Sequence, residues 1–382
     1  MKIGIINDYP LINSVGGTEK VFCDLANAMV QRGHEVTAVC FDGINGEPRF
    51  ELDSRVHLVD AGFTPPPLAL RKSIIELRVL PILSKKKRRI QRAKLRSICH
   101  AIQLNRTLPD LNVDVFISFQ IRCTHGLRKV YGDKIPIVTM FHGEPNMYSS
   151  EYFVSDIQNS TNQILLPAYE PELLSICPTA EIVVIPNSAP QNTSEARLEN
   201  PVILNLARVC SAKNQELLIR AFHLLHNDFP DWHVEIWGTT VDKKYPGYIR
   251  ELIIKLGLSD KVQLKGPTKS PSTELLRSSI FAFPSLQEGF PLALTEAMSL
   301  GLPTAGCREC LAVSALIKHE ENGLLSANTP EAYAEQLARL MRDQRLRKTL
   351  GSTAKLAMQE YSPDKIWTKW EALLYELSQN RP

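Results

Sequence analysis

Residues 283–298 read FPSLQEGFPLALTEAM: a short apolar run, a Glu-Gly-Phe-Pro turn and the start of a helical pattern. This order predicts a strand that passes through a tight turn into a helix. Pro291 suits the first helical position, so the amides of Leu292 and Ala293 would be among the unpaired donors at the helix start. Such amides bind anions, and the junction is therefore a candidate phosphate site.

Two glutamates stand eight positions apart in this stretch. Glu288 lies in the turn, and Glu296 lies just over one turn into the predicted helix. A carboxylate accepts hydrogen bonds and donates none. We therefore expect the two residues to bracket a phosphate-bearing ligand and to bind its hydroxyl groups.

The length and composition of the chain indicate two domains. It has 382 residues, of which 44% are hydrophobic and 22% are charged, as in a globular protein with two domains of about 150 to 200 residues. No apolar run approaches the ~20 residues of a membrane-spanning helix. The N-terminus, MKIGIIN, lacks the apolar core and cleavage site of a signal peptide, which favours a cytoplasmic protein.

Strand and helix patterns alternate in both halves of the chain. Strands are predicted at Lys2–Asn7 and Glu35–Phe41 in the first half, and at Val202–Leu206 and His233–Trp237 in the second. The polar stretch 191–200 separates the halves. The turn after the first strand does not match the G-x-G-x-x-G pattern, which argues against a hydride-transfer enzyme.

Three residues of the first half are candidates for ligand contact. Gly16 and Gly17 precede a helical pattern, where glycines let backbone amides approach an anion, although an ordinary flexible turn also explains them. His142 directly follows a predicted strand at Ile135–Phe141. Open α/β sheets bind ligands beyond the carboxyl ends of their strands, but this position taken alone also suits a structural histidine.

Positive charge is concentrated in residues 68–97. The segment carries eleven Lys or Arg residues and one acid, Glu76; since the whole chain carries +3, the remainder sums to −7. Apolar residues between Ile74 and Leu83 stand beside the basic cluster. The combination predicts an interfacial helix on anionic lipid, with a solvated basic helix or a patch for an acidic substrate as the alternatives. No nucleic-acid partner is expected, because aromatic residues are not interleaved.

Cysteine and histidine form no metal-binding pattern in the sequence. The eight cysteines are scattered, and only Cys307 and Cys310 have C-x-x-C spacing. No second pair completes a zinc site, so we predict no metal and no cofactor.

Together these motifs resemble those of the retaining glycosyltransferases of family 4, and the resemblance covers nearly the whole chain. Its most specific part is the E-x7-E signature from Glu288 to Glu296, inside PSxxEGFPLxLxEAM and followed by G-x-P. Arg208 and Lys213 stand at the family's spacing for diphosphate contacts. The family's glycine loop, histidine site and interdomain stretch are similar to Gly16–Glu19, Phe141–Gly143 and Ile185–Ser188.

The resemblance implies an α/β protein with the GT-B fold, in which two Rossmann-like domains face a central cleft. Residues 1–188 would form the acceptor-binding domain, and residues 189–362 would form the nucleotide-sugar donor-binding domain. A C-terminal helix at 363–382 would cross back onto the first domain. That crossing would bury Trp367 and Trp370.

It also implies a role for each matched residue. Arg208 and Lys213 would neutralise the departing diphosphate, Glu288 would bind sugar hydroxyls, Glu296 would bind the ribose, and His142 would lie near the donor sugar or the β-phosphate. The implied catalytic residues are Arg208, Lys213, Glu288 and His142. The implied donor-binding residues are Gly16, Gly17, Arg208, Lys213, Gly238, Leu264, Lys265, Gly266, Pro267, Glu288, Gly289, Phe290, Pro291, Leu292, Ala293 and Glu296.

The implied reaction is metal-independent, retaining transfer of a hexosyl or N-acetylhexosaminyl group from a nucleotide-sugar, with a UDP-sugar favoured. The acceptor would be a glycan or a lipid-linked glycan in the synthesis of bacterial surface polysaccharide or lipopolysaccharide. The protein would be cytoplasmic, with residues 68–97 on the anionic inner face of the cytoplasmic membrane. A GT-B phosphorylase, a sugar-nucleotide epimerase and a non-catalytic nucleotide-sugar-binding subunit are the alternatives.

Overall fold

The computed structural model describes residues 1–8, 10–12, 14, 16–44, 46–62, 85–108, 111–145, 152–240 and 244–379; between 85 and 96, side chains are described only at Gln91 and Leu95. Residues 68–84 of the predicted interfacial segment lie outside the described residues. The chain divides into two compact units, Met1–Pro186 with Ile366–Pro382, and Asn187–Lys365. The sequence-based boundaries were 188/189 and 362/363.

Each unit alternates strands with helices along the chain. The helices of the described residues are α1 Gly17–Gln31, α2 Lys85–Thr107, α3 Ile121–Tyr131, α4 Val154–Gln158, α5 Glu170–Ile176, α6 Gln215–His223, α7 Lys244–Lys255, α8 Pro271–Leu276, α9 Leu292–Ser299, α10 Leu311–Leu316, α11 Pro330–Arg342, α12 Gln344–Ala357 and α13 Pro363–Gln379. Short 3₁₀ turns occupy Pro167–Tyr169, Ser211–Lys213 and Met358–Tyr361. No helix within these residues is both long and apolar enough to span a bilayer.

Seven strands form the sheet of the first unit: β1 Lys2–Ile6, β2 Glu35–Cys40, β3 His57–Asp60, β4 Val115–Ser118, β5 Ile137–Phe141, β6 Thr161–Ile164 and β7 Glu181–Val184. All neighbours are parallel, in the order β3-β2-β1-β4-β5-β6-β7. The direction in which strands are added reverses between β1 and β4. In open α/β sheets, ligands bind beyond the carboxyl ends of the strands at this switch point.

The central strands of the first unit form because short apolar runs are covered by helices on both faces. Ile3 and Ile5 of β1 are fully buried. Gly4 lies between them, and a Cβ atom there would be 2.7 Å from the ring of Phe116 on neighbouring β4. Only glycine leaves room for that ring, and the strand is held in contact with β4.

The C-terminal helix α13 belongs to the first unit. Trp367 and Trp370 are buried. His34, after α1, hydrogen-bonds through Nε2 to the Glu371 carboxylate at 2.9 Å, and Arg32 lies 3.8 Å from the same carboxylate. Apolar burial and these two contacts fix the helix to the unit that begins with Met1.

Six strands form the sheet of the second unit: β8 Val202–Leu206, β9 His233–Trp237, β10 Val262–Gly266, β11 Ile280–Phe283, β12 Thr304–Cys307 and β13 Leu324–Ser326. They too are all parallel, in the order β10-β9-β8-β11-β12-β13. The switch point of this sheet therefore lies between β8 and β11. The predicted alternation of strand and helix in this half is confirmed.

One detail of the opening stretch differs from the prediction. Pro291 is the residue before α9, with φ −79° and ψ 90°, and the helix begins at Leu292 rather than at the proline. Its extended ψ places the proline outside the helical region. The prediction was wrong by one position, and Leu292 and Ala293 become the first two helical residues.

Candidate active site

The switch point of the second sheet brings together two of the predicted motifs. Arg208 follows β8, and the turn with Glu288 follows β11, so both loops leave the carboxyl edge on either side of the crevice. The amide of Leu286 donates a 3.0 Å hydrogen bond to the carbonyl of Ala212. The two loops are thus bonded to each other.

Lys213 and Glu288 form an ion pair in these loops. The Lys213 Nζ atom lies 2.5 Å from Glu288 Oε1, and the two side chains are 14% and 9% exposed. Partly buried charges are screened less by water than charges on an open surface, so this pair is stronger than a surface pair. An ammonium group has three N–H donors, which lets Lys213 hold Glu288 and a phosphate oxygen together. The sequence predicted both residues but not their contact.

Arg208 is exposed, and the residues around it fix its backbone. Its carbonyl accepts a 3.0 Å hydrogen bond from Nε2 of the fully buried Gln215. On the other side lies Gly238, where a Cβ atom would be 1.8 Å from the carbonyl oxygen of Ala207. The Arg208 loop can take this path only with glycine at position 238. The sequence did not predict a role for Gln215, because only its bond to the Arg208 loop distinguishes it from an ordinary helix residue.

The start of α9 supplies the predicted amide donors. The amides of Leu294 and Thr295 donate to the Pro291 carbonyl at 3.0 and 3.1 Å. The amides of Leu292 and Ala293 come before these and have no acceptor in the helical ladder. Glu296 is half-buried one turn further along the helix. Phe290 is buried, and its ring lies 5.7 Å from that of Tyr361, which holds the turn at Gly289 and Phe290 in place.

The end of β10, predicted to contact the base, carries a β-bulge. Register with β9 shifts between Leu264 and Gly266, and Gly266 has φ +78°. Its carbonyl accepts a 2.8 Å hydrogen bond from the Gly238 amide. A bulge lets backbone groups leave the sheet ladder, as a backbone contact to a ligand requires. Lys265 and Pro267 are exposed, and the Lys265 ammonium lies 5.5 Å from the centre of the Trp237 ring.

The Cys307–Cys310 loop reaches the same cluster. Cys307 ends β12 and Cys310 precedes α10, and both are buried. Burial raises the pKa of the Cys307 thiol to about 12. Burial also raises the pKa of Cys310, and the nearby Glu288 charge adds to that effect. Both side chains are therefore neutral thiols at pH 7.

The glycines at the start of α1 have a structural explanation. A Cβ atom on Gly16 would be 2.0 Å from Oε2 of Glu19, the third residue of the helix. Glu19 is buried and accepts a 3.0 Å hydrogen bond from the Ser14 hydroxyl. A carboxylate in the first turn interacts favourably with the positive end of the helix dipole, as a bound anion would. Contact of Gly16 and Gly17 with a ligand stays a prediction.

His142 lies at the end of β5, as predicted. Burial lowers the pKa of its imidazole to about 4, although a hydrogen bond to the Phe119 carbonyl acts in the opposite direction. The ring is neutral at pH 7, and its Nε2 atom is buried without a partner among the described residues. Because the other ring nitrogen carries the proton for Phe119, Nε2 is a hydrogen-bond acceptor. It therefore suits a sugar hydroxyl better than a phosphate.

Gln120 is a further candidate that sequence reasoning missed. Gln120 lies two positions after the end of β4, at the switch point of the first sheet, and it is 1% exposed. Both polar atoms of its side chain are buried without partners among the described residues, as is Oδ1 of Asp8 after β1. Buried polar groups are normally hydrogen-bonded, so unpaired groups in the loops after two adjacent strands indicate a place for a polar ligand. A polar residue directly after a buried strand was the available signal.

One group of side chains in the described residues has the composition of a metal site. Ligand atoms of Asp8, His100 and Cys123 lie within 4.8 Å of one another. However, Nε of Arg122 donates to Oδ2 of Asp8 at 2.8 Å, and Nη2 of the same guanidinium lies 2.8 Å from that oxygen. Burial, followed by the Asp8 charge, raises the pKa of the Cys123 thiol well above its usual range. A neutral thiol and an adjacent cation both disfavour a metal ion, so this group is better described as an ion pair.

Comparison with known families identifies the class of protein. Residues 15–189 match the family model described as Glycosyltransferase Family 4, and residues 189–357 match the model described as Glycosyl transferases group 1. The chain is a family-4 glycosyltransferase. The family predicted from the E-x7-E stretch is confirmed.

Relatives of this family-4 glycosyltransferase match almost the whole chain. It is 24% identical to an uncharacterized glycosyltransferase of Haemophilus influenzae over 375 residues. The match covers 95% of this chain and 97% of the relative. It is 23% identical over 320 residues, 78% of this chain and 83% of the relative, to a Campylobacter jejuni enzyme. That enzyme is named N-acetylgalactosamine-N,N'-diacetylbacillosaminyl-diphospho-undecaprenol 4-alpha-N-acetylgalactosaminyltransferase.

A solved structure confirms the GT-B fold of this glycosyltransferase. The structure of Anabaena HepE in complex with UDP and glucose superposes on this chain with a TM-score of 0.74 at 17% identity. The superposition covers 98% of this chain and 100% of HepE. Within the second unit, the predicted residues on β8, β9, β10, β11 and their loops lie at one edge of one sheet. Gly16, Gly17 and His142 belong to the first unit.

Proposed function

We propose that this glycosyltransferase moves a hexosyl or N-acetylhexosaminyl group from a UDP-sugar to a hydroxyl of a glycan or lipid-linked acceptor. The proposed reaction retains the anomeric configuration and needs no metal. The observation that carries the proposal is the Lys213–Glu288 pair, bonded into the switch-point loops that also hold Arg208 and the start of α9.

The proposed chemistry places positive charge on the leaving group. When the bond from the anomeric carbon to the β-phosphate oxygen breaks, negative charge gathers on the diphosphate and the sugar becomes oxocarbenium-like. The Lys213 ammonium, the Arg208 guanidinium and the amides of Leu292 and Ala293 are the groups at this edge that stabilise such charge. The acceptor hydroxyl attacks the same face of the sugar, and its proton passes to the departing phosphate oxygen.

The donor assignment rests on the carboxylates as well as on the cations. Glu296 has the position to accept hydrogen bonds from ribose hydroxyls, and the Leu264–Pro267 bulge offers backbone groups to the base. UDP is favoured as the nucleotide because it is the ligand named for Anabaena HepE. Glu288 holds Lys213, and we propose that it also accepts from a sugar hydroxyl.

The acceptor is proposed to bind at the switch point of the first sheet. Gln120 and Asp8 offer buried hydrogen-bonding atoms there, and His142, after the next strand β5, offers another; this set suits the hydroxyls of a glycan. The Campylobacter jejuni relative is named for a glycan on diphospho-undecaprenol, which favours a lipid-linked acceptor and a role in bacterial surface polysaccharide or lipopolysaccharide synthesis.

Replacement of Glu296 by glutamine tests the donor site. We expect the dissociation constant for UDP to rise at least tenfold, because hydrogen bonds to a charged acceptor contribute about 1.5–3 kcal/mol. Isothermal titration with UDP measures this. The control is Glu251→Gln on the exposed surface of α7, which should bind UDP like the wild type. Equal affinity in the Glu296 variant, or a transfer product of inverted configuration by NMR, would contradict the proposed function.

We also propose that α2 rests on anionic lipid at the inner face of the cytoplasmic membrane. Residues 85–97 of this helix contain eight Lys or Arg residues and no acid. The later turns of α2 are fixed to the first unit, since Leu104 is fully buried and a Cβ atom on Gly126 of α3 would lie 3.3 Å from Cβ of His100. The helix thus has an anchored end and a basic end.

Vesicle sedimentation tests the lipid contact. Binding to phosphatidylglycerol vesicles is expected at low salt and should decrease as salt is raised, because each basic residue near the surface contributes about 1 kcal/mol of screened attraction. Phosphatidylcholine vesicles are the control and should not bind the protein. Absence of binding to the anionic vesicles at low salt would refute this part of the proposal.

A further inference from the structure

A cavity of about 200 Å³ that is open to solvent lies in the second unit, between the segment 195–198 and helix α12, and Arg197, Lys348 and Ser352 in its lining are exposed. Its lining includes Glu195, Arg197 and Leu198 from the segment and Lys348, Ser352 and Lys355 from the helix. The three helix residues recur at intervals of four and three, so they share one face of α12. The volume corresponds to about six or seven water molecules at about 30 Å³ each, which is small for a nucleotide-sugar.

The cavity is positively charged. Three cations, Arg197, Lys348 and Lys355, face a single carboxylate, Glu195, which gives the lining a net charge of +2. Lys355 is paired with Glu195 at 2.8 Å. The side chains of Arg197 and Lys348 bond to no residue of the described chain. Outside residues 68–97 the chain carries a net −7, so the net charge of this lining is opposite in sign to the sum for that part of the chain.

A buried guanidinium stands behind the cavity wall. Arg347 is 7% exposed, and it donates through Nη2 to the Leu198 carbonyl at 3.3 Å and through Nη1 to the Leu340 carbonyl at 2.7 Å. It has no carboxylate bond within the described residues, and its buried Nε has no partner there. Burial lowers the pKa of Arg347, while the charge of Asp343 acts in the opposite direction. Nη1 also donates to the Met341 carbonyl at 3.2 Å, and the guanidinium carbon lies 5.3 Å from the centre of the Trp232 ring. These neutral partners hold the charge without cancelling it, so it adds to the positive potential at the wall.

The wall is held in an unusual backbone conformation. Leu198 has φ +59°, a left-handed conformation that costs energy for a residue with a branched side chain. The Arg347 bond to its carbonyl and the 2.8 Å bond from the Ala196 amide to the Leu300 carbonyl fix the segment in this shape. Such conformations persist where the surrounding structure determines them, and they are common at ligand sites.

The cavity is separate from the donor site. Helix α9 connects parallel strands β11 and β12, so it runs back towards the amino edge of the sheet. Gly301, which also lines the cavity, lies just beyond its C-terminal end. Eight helical residues at about 1.5 Å each separate this end from the amides of Leu292 and Ala293 by roughly 12 Å.

We propose that this cavity binds a small phosphate-bearing anion, either free or as the headgroup of a lipid. Arg197 and Lys348 supply charge-assisted hydrogen bonds to the phosphate oxygens, and the Ser352 hydroxyl can donate a third. The site does not depend on the donor chemistry proposed above.

Phosphate titration of the full chain tests the site, with thermal melting as the readout and sodium chloride at matched ionic strength as the reference. We expect phosphate to raise the Tm of the wild type, since a ligand that binds only the folded state stabilises it. The rise should persist in Lys213→Ala, in the donor site, and in Arg250→Ala, a control that removes an exposed cation of α7 outside the cavity lining. In Arg197→Ala/Lys348→Ala it should require at least tenfold more phosphate. The double variant should still bind UDP, which shows that it is folded.

Two results would overturn the proposal: no phosphate-dependent rise in the wild type, or a rise that is retained in the double variant and lost in Lys213→Ala. Sedimentation with phosphatidic acid vesicles identifies the source of the phosphate. A lipid headgroup is the ligand if the double variant sediments less than the wild type, and a free phosphate compound is the ligand if both sediment equally. UDP titration measures the donor site separately, so the two proposals can fail independently.

Discussion

Replacement of Lys213 by alanine is expected to lower kcat/KM for sugar transfer by about 10²–10³-fold. In the proposed reaction the ammonium group stabilises negative charge that develops on the leaving diphosphate, and loss of one such group typically costs a factor of this size. The effect should appear mainly in kcat, because the charge on the bridging oxygen is larger in the transition state than in the bound donor. Steady-state kinetics with the UDP-sugar identified by UDP titration measures both constants.

Two companion variants separate charge from structure at this position. Alanine at 213 also leaves the nearly buried Glu288 carboxylate without its cation, so the free energy of unfolding should decrease by about 1–3 kcal/mol. Lys213→Arg keeps the charge and should recover part of the rate. Lys213→Ala/Glu288→Gln should recover stability but not rate. A Lys213→Ala enzyme with wild-type kcat would show that the lysine does not act on the leaving group.

Replacement of Gly238 by alanine is expected to damage both stability and nucleotide binding. The new Cβ atom would lie 1.8 Å from the Ala207 carbonyl oxygen and 3.2 Å from the Arg208 amide nitrogen, and both are backbone atoms that cannot rotate away. The loop must move, at a cost of about 1–3 kcal/mol in the free energy of unfolding. The loop that must move carries Arg208, and Gly238 itself donates to the Gly266 carbonyl beside the proposed base site. We therefore expect the affinity for UDP to fall at least tenfold.

Gly247→Ala is the matched control for this substitution. Gly247 lies inside helix α7, and a Cβ atom there would meet nothing within 4 Å. Alanine is the better helix former, so the control should be more stable by about 0.5–1 kcal/mol and should bind UDP normally. Urea unfolding measures the stability of both variants, and UDP titration measures their affinity for the nucleotide. If Gly238→Ala matches its control in both measurements, the close approach does not constrain the Arg208 loop.

The ion pair changes how the E-x7-E signature of this chain is understood. The sequence predicted that both carboxylates bind donor hydroxyls, Glu288 those of the sugar and Glu296 those of the ribose. In the structure, Glu288 bonds to Lys213, seventy-five positions earlier in the chain, whereas Glu296 projects from α9 one turn beyond the amide donors. Glu288 therefore holds the cation that we propose acts on the leaving group, and Glu296 is the more direct test of the proposed ribose binding.

The sequence predicted the parts of the site whose signals are local. A strand, a turn and a helix start are neighbours in the chain, so residues 280–298 predicted β11, the turn and α9 to within one residue at Pro291. Alternation of apolar strands with helical spacing similarly predicted two parallel sheets. The E-x7-E signature, within PSxxEGFPLxLxEAM and followed by G-x-P, predicted the glycosyltransferase family before any comparison.

Only the tertiary structure decided which distant residues meet. The pairing of Lys213 with Glu288, the fit of Gly238 against Ala207, and the unpaired atoms of Gln120 and His142 all depend on strand order and on side-chain packing. Hydrophobic periodicity determines which face of an element is buried but not which element lies beside it. The chain's sequence therefore determined its fold class and the chemistry of its motifs, while contacts between residues far apart in the chain determined which groups act together, because those contacts exist only once the strands have paired.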